Sequence, residues 1–158
     1  MALRTATVDR FFVARLEGSV DRDQVDRIVR EAGEAARKLG TPVVYCGVNA
    51  PGLEPPDAPM RAYIMERAQD LLVHASTLEI VMEGDGLRSS LLRTVVRGMV
   101  TLSRTRRPGR PRTHIHASVR DAIDRSRGEL SLPPAEIERR LAELGMISTG
   151  VVRGADPT

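Results

Sequence analysis

The sequence predicts an α/β fold: a mostly parallel or mixed five-stranded sheet covered by helices, with an extra C-terminal helix. Three observations predict it. Short apolar runs rich in β-branched residues alternate with segments of helical period. Cap and turn residues mark most of the boundaries between them. At 158 residues and 41% hydrophobic content the chain fits one compact domain with a real core.

The elements follow in order. "TATVDR" and "FFVARLEGSV" read as two strands. In the second, Phe12, Ala14 and Leu16 alternate with Val13, Arg15 and Glu17, so one face is apolar. A helix follows, with Val25, Ile28, Val29, Ala32 and Ala36 in one stripe, Asp21 at its start and Gly40 at its end. "TPVVYCGV" fits a buried central strand. "NAPGLEPPDAP" holds four prolines and a glycine and reads as a loop. A helix with Pro59 in its first turn then packs through Ile64, Ala68, Leu71 and Leu72.

"STLEIVME" is the next strand, and "GDG" a turn. A long helix over "LRSSLLRTVVRGMVTLSR" points Leu91, Leu92, Val95, Val96, Met99 and Leu102 inward, with Gly98 allowing close packing. "THIHASV" is a strand, followed by a short helix capped by Ser118 with Ala122 and Ile123 inward. "LPPAEIERRLAELG" is an amphipathic helix carrying Ile137, Leu141 and Leu144. The division expected is an α/β body over 1–128, a C-terminal helix over 129–148 and a disordered tail over 149–158.

No apolar run approaches the roughly 20 residues that span a bilayer. The opening "MALRTATVDRFFVARLEG" lacks the long apolar stretch of a signal peptide, so a soluble cytoplasmic protein without membrane insertion is expected. Cys46 is the single cysteine, which rules out an internal disulfide and reads as a small buried hydrophobe.

Net charge is +3. Lys38 is the only lysine, so the positive charge is almost all arginine. Between Gly84 and Arg112 stand eight arginines and one acid, Asp85, which points to an anionic partner for that stretch. Arg93, Arg97 and Arg104 share one helix face and lead into Arg106, Arg107, Arg110 and Arg112. Gly109, Arg110 and Pro111, flanked by Arg107 and Arg112, resemble part of an AT-hook, although Pro108 replaces the usual arginine. Aromatics at 3% leave little for stacking on bases, so any nucleic-acid binding would rest on phosphate charge. A solvated loop is the preferred reading of these arginines.

Three stretches carry a family resemblance: "FFVARLEGSVDRDQVDRIVREA", "STLEIVMEGDGLRSSLLRTVVRGM" and "THIHASVRDAIDR". Together they resemble a STAS-like domain of the SpoIIAA-like kind, over about residues 5–127. The resemblance implies a bacterial, non-enzymatic regulatory module that binds a protein partner or a small ligand. Bacterial antagonists of this class carry a phosphorylated serine after the central strand. Here "GVNAPGLEPPDAP" holds neither serine nor threonine, so that switch does not carry over. The contact region implied is the loop with Asn49, Gly52, Leu53 and Asp57, together with the helix after it.

Other chemistry is sparse. No catalytic residue, metal ligand set or cofactor is assigned. His114 and His116 lie two apart on a strand and share a face, with no third ligand nearby in sequence. His74 sits near a helix end. "GDGLRSS" offers a turn into a helix where Gly86, Arg88, Ser89 and Ser90 would hold a phosphate; the alternative is an ordinary turn capped by Asp85 or Ser89. The stripe of the terminal helix must be buried on its own body or on another copy, and the expectation is a homodimer.

Overall fold

Strands β1 (Ala2–Val8) and β2 (Phe11–Glu17) form an antiparallel hairpin, with Val8 opposite Phe11 and a two-residue turn between them. Asp9 takes a positive φ of 56° in that turn, as tight hairpins require. Its carboxylate accepts from the Ser131 and Leu132 N–H groups, which ties a distant loop to the hairpin. The first strand is thus registered earlier than the pattern "TATVDR" suggested: Asp9 and Arg10 are the turn. The computed structural model describes residues 2–84, 96–97 and 112–147.

After β2 come α1 (Arg22–Leu39), β3 (Val43–Asn49), α2 (Ala58–His74), β4 (Ala75–Met82), β5 (Thr113–His116), α3 (Val119–Ser126), a 3₁₀ turn (Arg127–Glu129) and α4 (Pro134–Glu143). The sheet order is β1-β2-β3-β4-β5, antiparallel at the first pair and parallel thereafter. The fold is α/β with a five-stranded mixed sheet and a C-terminal helix, as expected. Crossovers of one hand, stepping one way along a sheet, place α1 and α2 on one face.

The caps follow the sequence. The Asp21 carboxylate accepts from the Gln24 N–H at 2.8 Å, and the Gln24 side chain accepts from the Asp21 N–H at 3.0 Å. Gly40 ends α1 in the left-handed region at φ 68°. Asp57 caps α2 through the Met60 N–H, and Ser118 caps α3 through the Asp121 N–H.

Two apolar layers flank the sheet. On one face Phe12, Ala14, Leu16, Tyr45, Leu78 and Met82 meet Ile28, Val29 and Ala32 of α1 and Leu71 of α2. On the other, Phe11, Val13, Cys46, Val48 and Val81 meet Val119, Ala122 and Ile123 of α3 and Ile137 and Leu141 of α4. The apolar face expected of β2, Phe12, Ala14 and Leu16, lies in the first layer, and the strand is buried on its other side as well. Arg15 on the second face is buried at 6% exposure and paired.

The terminal helix buries Ile137 and Leu141 on its own sheet. Gly145, at φ 69°, reverses the chain so that Met146 enters the core, while Leu144 stays exposed. In α2 only Leu71 is fully buried; Ile64, Ala68 and Leu72 are half-buried. Val96 and Arg97 are helical, and Val96 packs against the first layer. The rest of the helix expected over 87–104, including Gly98, and the tail 149–158 lie outside the described residues.

Candidate functional site

The C-terminal edge of a parallel sheet is where α/β folds place binding sites, because loops leave the strands there. Here that edge carries the loop from Ala50 to Asp57. It crosses above the end of β2, where the Glu54 N–H donates to the Gly18 carbonyl at 2.7 Å. The Leu53 N–H donates to the Ala50 carbonyl, and the Leu53 side chain is buried in the first layer.

Both ends of the loop are fastened. The Asn49 amide donates to the Val81 carbonyl at 3.3 Å and lies 3.1 Å from the Met82 sulfur. Asp57 caps α2, and the Arg61 guanidinium donates to the Pro56 carbonyl at 2.9 Å. Helix α2 is held to α1 by a polar cluster. Asp26 accepts from the Tyr63 hydroxyl at 2.6 Å and from the Arg67 guanidinium at 2.8 Å. The Arg22 guanidinium lies 4.9 Å over the Tyr63 ring. The Tyr63 hydroxyl, and after it Arg67, hold the Asp26 carboxyl below its usual range.

The four residues assigned to partner contact therefore divide. Asn49 and Leu53 fix the loop from within, Asp57 caps α2 from an exposed position, and Gly52 supplies a turn at φ 83°. What faces outward is Pro51, Gly52, Glu54, Pro55, Asp57, Ala58 and Pro59.

Beneath this edge, on the other face, lies an ion network that sequence reading missed. The Arg15 guanidinium meets Glu83 at 2.8 Å and Glu17 at 3.1 Å, and Arg4 meets Glu17 at 2.7 Å. Hydrogen bonds from Arg4, then Arg15, hold the Glu17 carboxyl below its usual range. Arg4 also donates to the Gly145 carbonyl at 2.7 Å, which clamps the end of α4.

A second missed group is Glu79. Strand alternation puts it on the same face as His114 and His116, directly opposite His114 in register. It is 1% exposed and meets the His116 Nε2 at 2.5 Å. His114 lies 3.0 Å from the Arg125 guanidinium. The partner of His116 is thus supplied by the neighbouring strand. Among the described residues, no three His, Cys, Asp or Glu side chains are arranged to hold a metal ion. The signal was present: an acid inside an apolar parallel strand needs a partner.

Cys46 is buried beside Glu79 in the ladder, and burial raises its thiol pKa far above the ordinary value. His74 packs its ring against Gly33 of α1. Of the arginine set, Arg97 and Arg112 are exposed. Arg93, Arg104, Arg106, Arg107 and Arg110 lie outside the described residues, as do Gly86, Arg88, Ser89 and Ser90.

No protein-family model matches the chain, and no curated protein or solved structure matches it. No helix among the described residues is long and apolar enough to cross a membrane.

Proposed function

We propose that the chain is a cytoplasmic regulatory module of the STAS-like kind its sequence resembles, acting by contact with a partner protein rather than by catalysis. One observation carries this reading: the proline-rich loop is held rigid from within while its outer surface is exposed at the C-terminal edge of the sheet. Four prolines restrict its backbone, and Leu53, Asn49, Arg61 and the Gly18 carbonyl anchor it. Little ordering entropy is then lost when a partner docks. The contact surface proposed is Pro51 to Pro59 with the first turn of α2.

A photo-crosslinking residue at Pro55, compared with one at the exposed Arg30 of α1, tests the reading. Crosslinking to one protein from Pro55 alone, lost in Glu54→Arg, supports it. Equal products from both positions, or none from Pro55 in cells that make the protein, would count against it.

A further inference from the structure

Strand β1 is the end of the sheet, and among the described residues no strand pairs with its outer side. Which of its backbone groups face outward follows from β2. The Arg10 carbonyl accepts from Val44 and the Leu16 carbonyl from Ala50, so even-numbered positions of β2 turn toward β3. Its odd-numbered positions turn toward β1. Their partners there are Ala2, Arg4, Ala6 and Val8. The N–H and C=O groups of Leu3, Thr5 and Thr7 therefore point away from the sheet.

Such an edge is a template for another strand, and proteins usually blunt it with lysine, proline or a bulge. Across Ala2–Val8 there is no proline, lysine or acid, and Arg4 is the single charge. The seven positions pair with β2 without a register shift.

We infer that β1 pairs with β1 of a second copy, antiparallel about a two-fold axis at Thr5, to give one continuous ten-stranded sheet. The outward positions select this occupant because they are self-complementary. Around Thr5, Leu3 meets Thr7 of the other copy, Thr5 meets Thr5, and Thr7 meets Leu3. All three outward positions then pair, with about six hydrogen bonds. A register shifted to either side pairs only two. In the Thr5 register Arg4 stands opposite Ala6, so no like charges face each other directly. Arg4 is already compensated by Glu17. On the same margin Leu144, next to the Gly145 carbonyl that Arg4 binds, is 57% exposed and gains cover from a neighbouring copy.

The outward geometry also provides the test. Thr5→Pro removes an outward N–H and the hydroxyl that donates to the Glu31 carboxylate, and it leaves the β1–β2 ladder whole. Light scattering of the full chain should give twice 17.3 kDa for the wild type and a single-chain mass for Thr5→Pro. Two further variants keep the proposal testable if Thr5→Pro fails to fold. Under mild oxidation, Thr5→Cys should form a disulfide-linked dimer across the axis. Thr7→Cys, which faces Leu3 of the other copy, should stay largely unlinked. Buried Cys46 does not compete. In the dimer the Leu3, Thr5 and Thr7 amides should exchange slowly with deuterium.

A single-chain mass for the wild type at every soluble concentration would overturn the inference. So would a dimer that survives in a folded Thr5→Pro, which would place the contact elsewhere. Linking of Thr7→Cys as fast as Thr5→Cys would do the same. Slow exchange of the three amides in a single-chain species would mean that another segment of the chain covers the edge.

Discussion

Glu79 of β4 and His116 of β5 meet at 2.5 Å across a parallel ladder, with the carboxylate almost wholly removed from water. A buried carboxylate without a partner costs far more than the pair itself contributes. His116→Ala should therefore destabilise the fold by about 3 kcal/mol, and Glu79→Gln by less. Replacing both, as Glu79→Met with His116→Leu, should recover most of the loss. Urea unfolding of the three variants checks the ordering. A double variant as unstable as His116→Ala would mean that the loss comes from packing rather than from the unpaired acid.

This pair also shows what could be read from the sequence and what could not. Element order and caps were legible because they depend on neighbours: Asp21, Gly40, Pro59 in the first turn of α2, and Ser118. The partners of buried polar residues were not. His116 stands 37 positions from Glu79, and Glu83 stands 68 from Arg15. Alternation along β2 marked Phe12, Ala14 and Leu16 as one apolar face; that α3 and α4 cover the opposite face depends on residues far along the chain. Leu144 kept the helical period of Ile137 and Leu141, but the turn at Gly145 put Met146 inward instead. The loop at Asn49 to Asp57 was recognisable as a loop; that Asn49 and Leu53 brace it from within depends on contacts far along the chain, with the Val81 carbonyl and the first apolar layer.

Gly33 tests close packing between α1 and α2. A Cβ there would lie 3.0 Å from the His74 Nε2 and 3.2 Å from its Cδ2. Alanine in a helix interior otherwise gains about 1 kcal/mol over glycine. Gly33→Ala should be neutral or destabilising in the wild type and stabilising by up to about 1 kcal/mol in a His74→Ala background. Additive effects in thermal denaturation would show that the ring moves aside freely.

Acid stability should depend on the first turn of α4. Hydrogen bonds from Arg139, then Arg140, hold the Glu136 carboxyl down to about 2, from an ordinary 4.5. A depressed carboxylate contributes stability above its unfolded value and loses it as pH falls through the folded one. The contribution should be constant at neutral pH and disappear between about 4.5 and about 2. Glu136→Gln should lower Tm slightly at pH 7 and leave it unchanged near the bottom of that range. Because the group is exposed, the difference should shrink with added salt. A Tm gap that persists unchanged through the acid range would remove Glu136 as the cause.

The last prediction separates bracing from recognition in the loop after β3. Leu53 is 4% exposed, so Leu53→Ala should cost about 2–4 kcal/mol through lost burial and a cavity. Asp57→Ala removes the α2 cap and should cost about 1 kcal/mol. Glu54→Arg changes an exposed side chain and should move stability by less than about 0.5 kcal/mol, and Pro55→Ala, which also frees the backbone, by no more than about 1 kcal/mol. If the outer surface is the contact, partner capture should fall in these last two variants by more than their small changes in unfolding midpoint explain. Leu53→Ala should instead lose capture only in step with folded protein. Unfolding curves and crosslinking yield from Pro51, measured on the same samples, decide between the roles. Loss of capture that follows stability across all four variants would make the loop a structural brace and nothing more.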